Sequence, residues 1–326
     1  MDFFSHALLP YLLGKSFKRN KEEVTAFVIG GIALDIDVLI LWINFVYPTF
    51  FLITHRGITH SLFFGFITAA GVLYMASRPG IRSYIRRFID FEPVINVRTI
   101  AFACAGATLH LFLDYTTTRG VPLLYPLSTA RYSAELFFYT DMFLTILSLL
   151  IIIYLYKKPQ ETNNAIKFLF VFLIIFALLG AVRTIEKSGA EEFFKDAGMT
   201  YYPTVGPFNW YVMGGTAEDI KIYEYNGLER SSMYIGEVKR INVLSSGDNL
   251  KGALAAADEL PQIKMFRWRA YAVAINASFD QKVWSLEYYD PMQRAMAKDM
   301  PGIFKRVAKG FGSMNVTVNG SKAVAG

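Results

Sequence analysis

The chain has 326 residues, 53% of them hydrophobic and only 18% charged, with a formal net charge of +6. A soluble domain carries about 25% charged residues, so disorder, collagen and coiled coil are excluded and an ordinary soluble enzyme is disfavoured. The single cysteine, Cys104, rules out an intrachain disulfide framework and a cysteine-based zinc site, which leaves any transition metal dependent on just four histidines.

Residues 3–13 are apolar but too short to cross a bilayer, which needs about 20 apolar residues. Their basic residues (Lys15, Lys18, Arg19, Lys21) follow rather than precede them. The stretch therefore reads as a half-inserted helix and not as a signal peptide. Apolar runs at 24–47, 61–76, 99–115, 137–156 and 166–185 then predict about five spans in a membrane domain covering 1–186. Loops 15–23, 77–98 and 157–165 are richer in Lys and Arg than loops 47–60 and 116–136. The positive-inside rule puts the first set in the cytoplasm and everything after residue 185 outside it, in an inner membrane. The Arg-rich loop 77–98 reads as an interfacial helix facing anionic lipid. Basic residues are not gathered into a nucleic-acid footprint, and no nucleic-acid partner is expected.

From about residue 187 to 326 the pattern changes to a soluble α+β domain. Strands are predicted at 208–214, 219–225, 233–239, 265–274 and 283–289. Helices are predicted at 248–260, with Asp248 as N-cap, and at 292–300. The tail 312–326, small and polar, is expected to fray. The fold class is thus an α-helical polytopic membrane domain followed by a soluble α+β domain.

All four histidines (His6, His55, His60, His110) fall in the membrane half. So do three carboxylates set inside apolar runs, Asp35 and Asp37 in GGIALDIDVL and Asp114 in HLFLDY. An intramembrane Asp costs about 2.5–3.5 kcal/mol at a helix centre, and few Lys or Arg lie at that depth. A divalent cation would compensate. His110 and Asp114, at i and i+4, share one helix face. Asp35 and Asp37 diverge by about 200° on an ideal helix, so one can bind metal while the other orients a second ligand, or the helix is distorted there. Asp35 and Asp37 lie about 21–24 Å past Lys21, and His110 and Asp114 about 18–24 Å past Arg98, at 1.5 Å per residue. His6 joins them only if residues 3–13 dip into the bilayer. Imidazole with carboxylate suits Zn, Mn or Fe.

Four elements in this order resemble the YdjM-type family of membrane-bound metal-dependent hydrolases: the early His6, GGIALDIDVL (30–39), HRGITHS (55–61) and LHLFLDYTTTRGVPLLYPLS (109–128). The likeness covers about residues 1–130, and HRGxTHS is its most specific part. Leu34 stands where the family usually has Pro, and no His follows Asp37. The resemblance implies a polytopic membrane hydrolase and leaves the substrate open.

The expected metal ligands are His6, Asp35, His55, His60, His110 and Asp114, holding one or two divalent ions, zinc foremost. Asp37 is the expected general base, and Arg56 is expected either to meet a substrate phosphate or to anchor the interface. A lipid or lipid-linked ester or phosphoester fits a site in the outer half of a bilayer. Two rivals stand beside this reading. One is a metal-ion or proton-coupled transporter, disfavoured by the lack of an inverted repeat. The other is a non-catalytic protein braced by a structural metal, with a partner-binding C-terminal domain.

Overall fold

The computed structural model describes residues 1–47, 53–195, 198–297 and 312–326. They form two compact units, a helical one from residues 1–42 and 53–185 and a sheet-rich one chiefly from 186–326.

In the helical unit five helix starts, those of α1, α2, α4, α6 and α7, are written in the sequence by a side-chain cap. Asp2 caps α1 (Phe3–Ser16), its carboxylate accepting from Ser5 N. Asn20 and Glu23 make a reciprocal capping box for α2 (Lys21–Ala33), as Asn96 and Thr99 do for α6 (Val97–Tyr115). In sequence a short α3 (Ile43–Val46), grouped with the second unit, stands between α2 and the HRGITHS segment. Ser61 caps α4 (Leu62–Ser77), whose line breaks by 85° into α5 (Pro79–Ile85), with Pro79 in the first turn where its missing N–H costs nothing. Asp141 caps α7 (Met142–Lys157), and α8 (Ala165–Phe194) follows.

Helices α2 and α6 cross at glycine. A Cβ on Gly30 would lie 1.9 Å from the Ala103 carbonyl oxygen, and one on Gly106 would lie 2.2 Å from the Phe27 carbonyl oxygen. Only hydrogen fits at either place, the close approach that small residues provide between membrane helices. Gly31 does the same for α1: a Cβ there would meet the His6 carbonyl oxygen at 2.4 Å. Alanines and leucines of α2, α4 and α6 form one core (Ala33, Ala69, Leu73, Ala107, Leu111), and Leu8, Leu12, Leu144, Ile151 and Phe172 join α1, α7 and α8 in another.

Among the described residues two helices, α6 and α8, are long and apolar enough to cross a membrane, and α4 with α5 makes a third span if the bent pair is taken as one. The five expected spans reduce to these on length and composition. The 24–47 run is interrupted: α2 ends at Ala33 and a 3-10 segment, Leu34–Ile40, takes over. The 137–156 run begins as helix only at Met142, leaving a 16-residue apolar α7.

The second unit has two sheets. The first is an antiparallel meander of β1 (Thr200–Pro203), β2 (Asn209–Gly215), β3 (Asp219–Asn226) and β4 (Ser231–Lys239). The second runs β5 (Ile241–Val243), β6 (Ala274–Asp280), β7 (Val283–Tyr289), β8 (Ser313–Asn319) and β9 (Lys322–Ala325). Its only parallel pair among the described strands, β5 with β6, is linked through α9 (Leu250–Asp258) and α10 (Pro261–Arg269), as a parallel crossover requires. Ile263 and Phe266 of α10 pack on Ile275, Trp284, Val316 and Val318 of the sheet. A short α11 (Pro291–Met296) follows β7.

Four local expectations are corrected. The 265–274 strand is mostly helix, begun by Pro261 at its first position. Asn249, not Asp248, caps α9, with a left-handed φ of 57°. The tail does not fray: the V-T-V alternation places Val316 and Val318 in the core, and a two-residue Gly320–Ser321 loop with Gly320 at φ +59° closes a β8–β9 hairpin. The helix expected at 292–300 ends at Met296, and residues 298–300 lie outside the described residues.

Candidate metal centre

The C-terminal ends of α2 and α6, the N-terminal end of α4 and the first turns of α1 meet in one place, and all eight expected site residues converge there. Asp35 and Asp37 reach it because the backbone after Ala33 tightens to three residues per turn, which moves residues two apart to about 120° from each other. Ile36, Val38 and Leu39, between and after them, stay exposed. In the HRGITHS segment a second 3-10 turn, Ile58–His60, presents His60, and Arg56 adopts a left-handed φ of 60°. Such a conformation costs about 1 kcal/mol or more for a non-glycine residue and is held by surrounding contacts. Here those contacts are dense: the Arg56 guanidinium donates to Asp114 Oδ1 at 2.9 Å and Thr117 Oγ1 at 2.8 Å, and lies 4.0 Å over the Tyr139 ring.

Four ligand atoms face one another: His60 Nε2, His110 Nε2, Asp35 Oδ1 and Asp114 Oδ2. The two nitrogens are 3.2 Å apart, each is 3.5 Å from Asp35 Oδ1, and each is 3.6 Å from Asp114 Oδ2. A tetrahedral ion with ligands at about 2.0–2.1 Å sets its ligand atoms about 3.3–3.4 Å apart. The five separations match that edge length. Asp114 Oδ2 is buried and receives no hydrogen bond, a costly state for a carboxylate oxygen that a cation would relieve.

The surroundings prepare both imidazoles as ligands. His110 Nδ1 donates to the Gly31 carbonyl at 2.7 Å, leaving Nε2 bare toward the cluster. Thr59 Oγ1 lies 2.9 Å from His60 Nδ1 and donates to Asp37 Oδ2 at 2.8 Å, so the hydroxyl relays the imidazole to a carboxylate. Metal-bound histidines are oriented in this way. Asp37 Oδ1 takes His55 Nδ1 at 3.0 Å, so both oxygens of Asp37 are engaged by side chains of the HRGITHS segment. His6 stacks on His110 with ring centres 3.7 Å apart, and its Nε2 is 3.3 Å from Asp114 Oδ1, which the Met1 amino group also contacts. Three overlapping sets could hold a metal: His6, His110 and Asp114; Asp35, His60 and His110; Asp37, His55 and His60.

His55 and His60 lie between the helices, and their charges are pulled in opposite directions. Burial lowers the His55 pKa, and Asp37 only partly restores it. Burial also works against charge on His60, but Asp35 and Asp37 outweigh it and raise the imidazole to about 9. Among the site groups Asp35, at 17%, and His55, at 24%, keep the most solvent access.

Sequence reasoning missed the Gly31 carbonyl and Tyr139. The first is a backbone group with no side-chain signal. The second sits 25 residues past Asp114 with nothing local to mark it. Asp141, a further buried carboxylate, caps α7 and pairs with Arg183 at 3.4 Å.

Comparison with known families gives a match to the family model described as YdjM inner membrane protein, over residues 1–187. No curated protein and no solved structure matches the chain.

Proposed function

The chain belongs to the YdjM inner membrane protein family, and on that premise we propose that it is a membrane-embedded metal-dependent hydrolase of lipid or lipid-linked esters or phosphoesters. The observation that carries this reading is the convergence of His60 Nε2, His110 Nε2, Asp35 Oδ1 and the unsatisfied Asp114 Oδ2. Zinc suits the nitrogen–oxygen donors and the tetrahedral edge lengths, and Mn or Fe suits the same donors.

A bound divalent ion there would lower the pKa of a coordinated water toward 7 and polarise the scissile oxygen. His60, His110 and Asp114, all fully buried, form the permanent set. Asp35, partly exposed, occupies the position that a water or substrate oxygen would take. Asp37 holds His60 through Thr59 and aligns His55, the most accessible imidazole of the site, to move a proton at Nε2. This replaces a direct general-base role for Asp37. Arg56 is spent on Asp114, fixing that carboxylate's rotamer, a role distinct from both contact with a substrate phosphate and anchoring at the interface. A lipid substrate is supported by Ile36, Val38, Leu39 and Trp42, exposed apolar residues that flank the two carboxylates. The charge alternation along the loops supports a C-terminal domain outside the cytoplasm.

A second reading has an observation in its favour. Four protein atoms face one another with five of their separations near a tetrahedral edge, and four protein ligands are what structural zinc sites use, which suits a metal that only braces the helices. Asp35→Asn separates the two. Metal content and turnover of a panel of lipid phosphoesters are measured on the full chain in detergent, with His60→Ala as reference. The hydrolase reading expects Asp35→Asn to keep at least half its metal while hydrolysis changes more than 10-fold, and His60→Ala to lose both. Hydrolysis absent from the wild type with metal fully bound supports bracing.

A further inference from the structure

Loops 15–23 and 77–98 are each basic but lie far apart in sequence. The fold joins them. Lys21 pairs with Asp90, Arg98 with Glu23, and the Glu92 amide donates to Thr25 Oγ1 at 2.9 Å. Within this joined surface three of the four acidic side chains are paired: Glu92 takes Arg82 and Arg86, the exposed Asp90 takes Lys21, and the buried Glu23 takes Arg98 and caps α2. The cations outnumber them, and among the described residues Lys18 and Arg87 have no ion-pair partner.

Helix α5, which carries part of this surface, buries none of its residues. It turns 85° from α4, an orientation that suits a helix lying along an interface. Tyr84 and Phe88 are 60% and 63% exposed, and Ile81 and Ile89 are also bare, interleaved with arginines. Arg78 donates to the Tyr74 hydroxyl at 3.0 Å and lies over its ring. A water-facing surface has no use for such a row of aromatics, and a purely lipid-facing one has none for the arginines.

The position of the surface is a separate observation. It gathers the start of α2, the end of α4 and the start of α6, whereas the metal centre gathers the opposite ends of the same three helices. Lys21 to Asp35, Ser61 to Arg78 and Arg98 to Asp114 span 14, 17 and 16 residues, or about 21–26 Å of helix. A hydrocarbon core is about 30 Å thick.

We propose that the joined basic surface of loops 15–23 and 77–98 with α5 is a docking collar for the headgroups of anionic phospholipids. It sets the depth of the helical unit so that the metal centre sits near the opposite leaflet. The proposal does not depend on the site being hydrolytic.

The test uses the full chain in a neutral detergent. Its melting midpoint is followed on adding phosphatidylglycerol, phosphatidylcholine of the same chains, or inorganic phosphate. The variant carries Lys18→Gln, Arg78→Gln and Arg87→Gln, three exposed positions outside the metal centre, and its metal content is compared with wild type to check folding. Phosphatidylglycerol is expected to raise the wild-type midpoint by on the order of 5 °C. The variant should lose most of that rise, and ~1 M salt, where the screening length is about 3 Å, should suppress it in the wild type. An equal rise with phosphatidylcholine, the same rise with phosphate alone, or an unchanged rise in the variant overturns the collar. Should the triple variant fail to fold, the salt and phosphatidylcholine arms on wild type decide alone.

Discussion

Asp114 shows how one side chain can be asked to do two things. Its Oδ1 is held by Arg56, His6 and the Met1 amino group, and its Oδ2 is left bare toward His60 and His110. The held oxygen fixes the rotamer, and the bare one is available to a cation. Asp37 has the complementary role, with both oxygens spent on Thr59 and His55. Asp37→Asn should therefore weaken metal binding by about 10–100-fold without abolishing it, the range for loss of a partner that orients a metal-bound histidine, as competition with a chelator would read. His60 supplies a pH test on metal-free protein. Its folded pKa is raised from 6.5 to about 9, so the proton it binds stabilises the fold fully below pH 6.5, and that stability is lost as pH rises through 9. Melting midpoints in chelator should fall between pH 6.5 and 9 from this group. With metal bound the ion takes the proton's place, and the fall should vanish. The seven His and Asp side chains were legible in the sequence because ionisable groups inside apolar runs are rare and costly. The tautomer-setting carbonyl of Gly31 was not, because its role depends on how closely α1 and α6 pass α2.

That closeness belongs to the elements. Gly30, Gly31 and Gly106 let α1, α2 and α6 touch backbone to backbone, and His6, Asp35 and His110 reach one another only at that spacing. Gly30→Ala would drive a methyl group into the Ala103 carbonyl. It should lower stability by about 1–3 kcal/mol or more, as overpacking does, and lower metal occupancy with it, both measurable on the purified variant. Gly71→Ala, with nothing within 4 Å of the added carbon, is the control expected to do neither. Capped helices and alternating strands were readable from local pattern, β7 to the residue. The long 24–47 run was not, because hydropathy alone does not reveal that the backbone tightens where two carboxylates must turn inward. The tail misled by its small, polar composition, although Asn319–Gly320 is a hairpin signal and the alternating valines needed only β7 as a partner.

At the scale of the whole molecule, chemistry-bearing groups and charged anchors are segregated to opposite ends of the same helices, and every histidine belongs to the helical unit. The sheet-rich unit has its own cores, around Trp210 in the first sheet and Trp284 in the second, and contributes no histidine. Composition announced a membrane protein; the four histidines fall together in groups that could hold a metal ion. The proposed function stands or falls with a divalent metal held by His60, His110 and Asp114. Its most direct test is elemental analysis of the full chain purified in detergent without added metal, beside His60→Ala and Asp114→Asn. The wild type is expected to carry about one equivalent of zinc, manganese or iron and either variant less than a tenth of that, with all three folded. A folded wild type that carries no metal and takes up none on addition, or variants that retain the wild-type content, would contradict it.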